Sequence, residues 1–445
     1  MFIVRMVSGI STIRAYKPFC PHGESAADKI RMLRPAQILI VSATALLGVA
    51  LVCIQSAAFR LSSPSDPLGL VGSSRHLIYA LLALGAMLIA SRLNVRQLLQ
   101  PRGIGNPLFL IVLLSTGFVV LTLVPGVGLA ARGAHRWLYL GPQSWGLTFQ
   151  PSELVKWVLV VTLAWWCAQR RGLMDRFTDG LMPAALLLGL ACGLILIEDF
   201  GTAVLVGAVG ACMLLAGGAR LWHLALILPP AIATGLLSIV HNPYRIRRLT
   251  AFVDPWADSS GAGYHPIQSM LAIAQGGIAG RGLGNGIQKF GYLPEDTTDF
   301  IFSVICEEMG LAGAVLVVGL YLTILWVGLG VLRDCSDTFG RLLAFGVLLT
   351  LGFQAAMNLA VVTVLVPTKG IALPLVSRGG TGWIMTAFAL GLVAALDNNR
   401  VVRLPHAVES SGGGGRGQPR VAPKSGFEVF GASCERRTGD SITKS

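Results

Sequence analysis

Between Tyr292 and Gly310 the chain gathers five carboxylates, Glu295, Asp296, Asp299, Glu307 and Glu308, in the segment Tyr-Leu-Pro-Glu-Asp-Thr-Thr-Asp-Phe-Ile-Phe-Ser-Val-Ile-Cys-Glu-Glu-Met-Gly. The segment runs straight into a long apolar stretch, in a protein of which only 13% is charged. Ionisable groups beside hydrocarbon are costly, so a cluster of them is by default a functional-site hypothesis. The preceding stretch carries the opposite charge, at Arg245, Arg247, Arg248, Arg281 and Lys289. These cations read either as an excess that a long loop tolerates or as a site for an anion.

The elements that must position these groups are apolar. Hydrophobic residues make up 53% of the 445, and mean hydropathy is +0.68. Runs of the roughly 20 apolar residues that a bilayer crossing requires recur about ten times. Inside lipid the backbone must satisfy its own hydrogen bonds, which makes such runs helices. The expectation is an all-α integral membrane protein with about ten transmembrane helices, at 36–59, 76–92, 106–124, 152–168, 180–197, 201–217, 221–240, 300–330, 342–366 and 380–397. A large extracytoplasmic loop, 241–299, separates the seventh from the eighth.

The net charge of +13 follows this topology. With the N-terminus in the cytoplasm, 23 of the 35 Lys and Arg fall on the inner side, as the positive-inside rule requires. The charge is a topology signal and a contact with anionic lipid, with no call for nucleic acid. Eight scattered cysteines form no CxxC pair, so neither a zinc site nor a disulfide framework is indicated. Residues 1–34 read as a cytoplasmic tail lacking the apolar core of a signal peptide. Residues 35–397 form one membrane domain, and 398–445, rich in Gly, Ser, Pro and Arg, read as a disordered cytoplasmic tail.

Three segments, 125–152, 241–299 and 367–382, are too polar or turn-rich to be plain connections, and the topology puts all three outside. Long loops on one face usually carry function. The glycines of Gly282-Leu-Gly-Asn-Gly-Ile-Gln-Lys289 are not embedded in a strand–helix–strand unit, which excludes a dinucleotide loop and leaves tight turns or close backbone approach.

An ordered set of motifs resembles the SEDS family (shape, elongation, division and sporulation). It comprises Gly133-Ala-His-Arg136-Trp137-Leu, Phe149-Gln-Pro-Ser-Glu153-Leu-Val-Lys156, Tyr244-Arg245-Ile-Arg-Arg248 followed by Asp254-Pro-Trp, Gln268-Ser, Gly282-Leu-Gly-Asn-Gly-Ile-Gln-Lys289, Tyr292-Leu-Pro-Glu295 with Thr298-Asp299-Phe, Glu307-Glu-Met-Gly, and Pro367-Thr-Lys369-Gly with Leu373-Pro-Leu-Val-Ser377-Arg-Gly-Gly. The resemblance runs from the first span to the last, and its details look closer to the division branch than to the elongation branch.

The resemblance implies a peptidoglycan glycosyltransferase that polymerises lipid II into a nascent glycan strand outside the cytoplasmic membrane. It implies a class B penicillin-binding protein transpeptidase and other divisome proteins as partners, and a site at the septum. It places the essential aspartate at Asp299. A carboxylate there can act as general base on an acceptor hydroxyl, an effect of about 10²–10⁴-fold. Arg245, Arg248 and Lys289 are candidates to stabilise the departing pyrophosphate. A divalent cation, Mg or Mn, is a further expected device, although no dedicated metal motif is present.

Each candidate has a plainer reading beside it. Asp299 could cap the next helix, and Glu295 could be a solvated loop carboxylate. Glu153 and Lys156 share a helix face and suit a structural ion pair as well as a substrate cavity. Trp137 could anchor at the interface; Lys369 could bind phosphate or mark the interface, in a tight loop with Ser377. Arg136 and Gln268 enter through the motifs alone. Two departures from the family pattern stand out: Arg378 where relatives typically have an aromatic, and Thr297 where they have a histidine. Asp199 matches a family aspartate only if its spacing shifts locally. A lipid-precursor flippase is the alternative, but charge through the membrane midplane would be its signature. A mere scaffold would have no need of Asp299.

Overall fold

The structure, a computed structural model, describes residues 34–58, 70–94, 107–122, 124, 129–131, 134–139, 148–288, 292–293 and 297–401. The chain divides into two units, Met1–Arg403 and Leu404–Ser445, and every described residue belongs to the first. The expected tails lie outside the described residues, apart from Arg34 and the end of the last helix, which runs on to Val401.

Twelve α-helices are present among the described residues. They are α1 (Pro35–Ala58), α2 (Leu70–Ala90), α3 (Pro107–Thr122), α4 (Pro151–Gln169), α5 (Met182–Glu198), α6 (Phe200–Ala216), α7 (Leu221–Val240), α8 (Pro243–Val253), α9 (Tyr264–Gly276), α10 (Ile301–Asp334), α11 (Thr338–Val362) and α12 (Gly380–Val401). Each of the ten expected runs overlaps one of them. Six segments are long and apolar enough to cross a membrane: Pro35–Ser56, Phe177–Glu198, Leu221–Val240, Ile301–Asp334, Thr338–Val362 and Gly380–Asn398. Three more apolar segments, Arg75–Ala90, Leu110–Thr122 and Phe200–Ala216, are shorter, and α4 carries Glu153 and Lys156 in its first two turns. The count of ten therefore rests on runs that helix length and hydropathy bear out for six.

Two features depart from an all-α protein with one open loop. Residues 129–149 contain a small antiparallel sheet, β1 (Leu129–Ala131), β2 (Ala134–Tyr139) and β3 (Thr148–Phe149), in the order β1-β2-β3. Leu129 pairs with Trp137 across a bulged hairpin, and Leu138 pairs with Phe149. The short, turn-punctuated 125–152 stretch is too brief between breaks to nucleate a helix. The 241–299 stretch holds two helices, because Asn242 caps α8 through the Tyr244 N–H and Asp254 caps the turn Pro255–Asp258 through the Trp256 and Ala257 N–H groups.

Helices α11 and α12 supply much of the interior, with Leu343, Phe345, Val361, Trp383 and Val393 buried. Helix α12 lies against α2 and α1, α11 against α4, α6 and α10, and α5 against α6. Apolar stripes such as Leu186, Leu190 and Ile197 on α5 stay exposed, as expected where the surrounding solvent is hydrocarbon. Helix α7, which carries Pro229 and Pro230 within it, buries none of its residues.

Candidate functional site

The three segments set apart by their sequence meet at one end of the bundle. The Gln150 N–H donates to Thr381 Oγ1 at 3.4 Å, Arg248 Nη1 donates to the Thr368 carbonyl at 3.3 Å, and the Arg378 N–H donates to the Thr297 carbonyl at 2.7 Å. The last bond joins the two positions that depart from the family pattern.

Asp299 sits at the centre of this meeting point, half-buried in the turn that opens α10. Its backbone carbonyl accepts from Asn358 Nδ2 at 2.8 Å, and the same amide donates to the Ile371 carbonyl at 2.8 Å. Asn358 is buried on α11, so one side chain pins the Asp299 turn and the 367–379 loop to a membrane helix. The cap position of α10 falls on Phe300 and has no side-chain cap, so the capping alternative for Asp299 is not realised. The Phe300 ring stacks on His265 of α9 at 5.8 Å and 18°. Ser269, one turn further along α9, bonds Ser303 Oγ and the Val362 carbonyl, both at 2.7 Å.

The 367–379 loop is held just as firmly. Val364 (φ 57°) and Leu375 (φ 61°) occupy the left-handed region, at a cost of order 1–3 kcal/mol each that the surroundings must impose. Gln354 Nε2 donates to the Ala372 carbonyl at 2.9 Å, Trp383 Nε1 to the Ser377 carbonyl at 2.7 Å, and the Tyr321 hydroxyl to the Pro374 carbonyl. Ser377 is buried, and its Oγ accepts from the Leu373 N–H at 2.6 Å. Its hydroxyl therefore closes the loop on itself.

Beneath the loop runs a polar column. Lys156 Nζ lies 2.7 Å from Glu153 Oε2 and 2.7 Å from Gln354 Oε1. Only 2% of Lys156 is exposed, a burial that a charged amine tolerates only with such partners. A small cavity lined by Leu159, Val206, Met213 and Thr350 opens below it. Glu153 and Lys156 thus form the expected ion pair, and Gln354 couples it to the loop.

Glu307 and Glu308, about two turns into α10, are fully buried. Glu307 accepts from the backbone N–H groups of Ile287 (2.6 Å) and Gln288 (3.2 Å), and Glu308 accepts from Ser56 Oγ of α1 at 2.8 Å. The glycine-rich loop lies against the same turn, with the Arg281 and Gly282 N–H groups on the Glu307 and Glu308 carbonyls. Close approach explains the glycines here: Gly280 (φ 75°) and Gly310 (φ 63°) are so tightly opposed that a Cβ on either would meet backbone at 2.4 Å. Gly310 also kinks α10.

The cations divide by role. Arg245 donates to the Leu196 carbonyl at 3.0 Å and to Ser238, tying α8 to the ends of α5 and α7. Arg248 reaches the Thr368 carbonyl and the Tyr244 hydroxyl. Lys369 lies 5.0 Å from the Phe200 ring centre, and Arg245 faces the same ring at 5.3 Å. Burial there pushes the Lys369 ammonium below the ordinary lysine range. Asp199 caps α6, accepting from the Thr202 N–H (3.1 Å) and hydroxyl (2.8 Å). Trp137 is half-buried in β2, Arg136 precedes it in that strand, and Gln268 is half-buried on α9. Lys289, Glu295 and Asp296 lie outside the described residues.

No three His, Cys, Asp or Glu side chains among the described residues group as a metal site. Two site residues escape a motif reading, Gln354 and Asn358. Their signal is the spacing of two amides four apart in an apolar helix, which puts both on one face.

The fold and the site together define a multi-pass helical membrane protein with a carboxylate and cations gathered at one end of its bundle. The family model described as cell cycle protein, covering FtsW, RodA and SpoVE, matches residues 36–401, and the chain belongs to that family. It is 37% identical over 357 residues to a probable peptidoglycan glycosyltransferase FtsW of Geobacter metallireducens, covering 80% of this chain and 92% of that one. It is 37% identical over 384 residues to the protein so named in Thioalkalivibrio sulfidiphilus, covering 84% and 92%. Among solved structures it resembles a peptidoglycan synthase complex described as coordinating polymerization and crosslinking, with a TM-score of 0.61 and 27% identity over 81% of this chain and 97% of that one. It also resembles the rod shape determining protein RodA of Thermus thermophilus, with a TM-score of 0.55 and 27% identity over 81% and 96%.

Proposed function

We infer that the protein is a peptidoglycan glycosyltransferase that polymerises lipid II into glycan strands on the outer face of the cytoplasmic membrane, in septal synthesis. The observation that supports the reading is the pinning of the Asp299 turn and the 367–379 loop together by Asn358 of α11, where the segments set apart by their sequence meet. Family membership and the naming of the relatives support the reaction class, and their common FtsW name supports the division branch.

In this reading the Asp299 carboxylate takes the proton of the acceptor hydroxyl as its oxygen bonds to the anomeric carbon. The bond from that carbon to the diphosphate breaks, and its electron pair leaves with the diphosphate. Arg248 and Lys369, with Lys289 as a further candidate, face the charge that develops there. Glu153, Lys156 and Asn358 hold the frame. A bound Mg or Mn would add charge neutralisation on the diphosphate. The likeness to a synthase complex supports a class B penicillin-binding protein as partner, with other divisome proteins around it.

The test is lipid II polymerisation by the purified full-length protein, with and without a cognate penicillin-binding protein, beside Asp299→Ala. A folded Asp299→Ala protein as active as the wild type would overturn the catalytic assignment. Translocation of lipid II without polymerisation would make the protein a flippase.

A further inference from the structure

Helix α8 has three sides, and the site uses one of them. Successive residues turn by about 100°, which puts Arg245, Arg248, Ala251 and Phe252 on one side, Ile246, Leu249 and Val253 on a second, and Arg247 and Thr250 on a third. The first side faces the protein. Ala251 is buried, Phe252 is partly buried, Arg245 donates to the Leu196 carbonyl, and Arg248 donates to the Thr368 carbonyl. The other two sides are exposed, the apolar stripe as fully as the polar one. Arginines turned inward and an apolar stripe turned outward are the reverse of a helix packed in water.

The surroundings of the stripe say what lies against it. Helix α7, apolar and long enough to cross a membrane, ends at Val240; α8 begins at Pro243, and the two helices touch. Leu236, Leu237 and Val240 at that end of α7 are exposed like the stripe, so the apolar surface of the span continues onto α8. Exposed aromatic rings stand at both ends of α8. Tyr244 lies in its first turn, and Trp256 lies in the turn beyond it, where Asp254 accepts from the Trp256 N–H at 3.0 Å. Tyrosine and tryptophan are enriched where hydrocarbon meets headgroups. Arg247, exposed on the third side, suits the level of lipid phosphates. A helix lying in the plane of such an interface needs one side for protein, one for acyl chains and one for water.

We propose that α8 is an interfacial helix, seated by Ile246, Leu249, Val253 and Trp256 in the phospholipid leaflet at the site's end of the bundle, and that Arg248 makes the 367–379 loop depend on that seat. The seat stands on the geometry of α8 alone, whereas its effect on turnover rests on the glycosyltransferase reading. Arg248 joins the two, because it grips the Thr368 carbonyl, beside Lys369, from the inward side of the same helix. Lifting the stripe out of lipid draws that guanidinium away from the loop. The leaflet thereby helps to hold Lys369 where a lipid-borne diphosphate arrives.

The experiment uses full-length protein in phosphatidylcholine nanodiscs whose acyl chains carry no bromine, bromine near the headgroup or bromine at the chain ends. Trp256 emission is read in each disc as the difference between wild type and Trp256→Phe. Bromine near the headgroup should remove about half of it, bromine at the chain ends less, and aqueous iodide little, as a depth of about 5–10 Å requires. Leu249→Asn combined with Val253→Asn should reverse that order and lower lipid II turnover about tenfold, the worth of one charge-assisted hydrogen bond. Both side chains are exposed, and a thermal unfolding scan verifies that the variant folds. In an Arg248→Ala background, itself slower, the asparagine pair should lower turnover no further. Quenching of the wild type by iodide and not by bromine overturns the seat, since the stripe would then face water. Quenching by neither overturns it as well, a second copy of the protein being then the cover. Turnover that the asparagines leave intact, or lower equally without Arg248, overturns the link to the loop. If bromine quenches Trp256 and the protein polymerises nothing, the seat stands and the glycosyltransferase reading fails.

Discussion

Asp299 and the pair Glu307–Glu308 lie within ten residues of each other, at the start of one helix, and the structure treats them in opposite ways. Both glutamates are sealed from solvent, and backbone N–H groups and a serine hydroxyl occupy their oxygens. Asp299 is half-buried, and Asn358 holds it by its backbone carbonyl. The contrast separates a carboxylate that holds a fold from one that a fold holds in place. Glu307 is a latch: its charge satisfies the glycine-rich loop where that loop crosses the α10 kink. At Asp299 the clamp grips the backbone carbonyl.

The sharpest way to break this contrast is to neutralise each acid. Asp299→Asn should lower kcat about 10²–10⁴-fold with little change in unfolding temperature, as read by lipid II turnover and a thermal scan in detergent. A large loss of stability instead would make Asp299 another latch. Asn358→Leu removes the clamp while leaving the carboxylate in place. We expect kcat to fall about 100-fold with KM much less affected, because a displaced base costs rate before it costs binding. Equal changes in kcat and KM would show that Asn358 serves the fold in general.

Glu307→Ala should act the other way. Leaving the Ile287 and the buried Gln288 N–H groups without their acceptor costs about 1–3 kcal/mol, visible as a lower unfolding temperature, while the surviving folded enzyme keeps its turnover per active molecule. The smallest effect concerns Lys369. Burial lowers its proton affinity, so charge is lost at a lower pH than for an ordinary lysine, and KM for lipid II should already climb as pH approaches the ordinary lysine range from below. Lys369→Arg keeps the charge and should flatten that rise. A pH profile identical in both proteins would remove Lys369 from diphosphate binding.

Much of the fold and part of the site are legible in the order of residues. Apolar run length dictates helices, since backbone polar groups in lipid have no other partner, and every run overlaps one. The spacing of Glu153 and Lys156 implies their ion pair, because residues three apart share a helix face. The glycines of 276–286 mark a close approach, though not to what. Helix length and hydropathy alone do not support ten crossings, because α3 and α6 are short and α4 begins with charge.

Chain identity determined the class of protein, because hydrophobicity, charge and motif order are properties of the one-dimensional chain. Only the tertiary structure decided which polar groups are spent on the fold. It closed Ser377 on Leu373, turned Arg245 towards the Leu196 carbonyl, sealed Glu307 under the glycine loop, and brought Asn358 to Asp299 across 59 residues. The reason is physical. A hydrogen bond depends on distances of about 3 Å between groups far apart in sequence, and no local pattern of residue types encodes such a meeting.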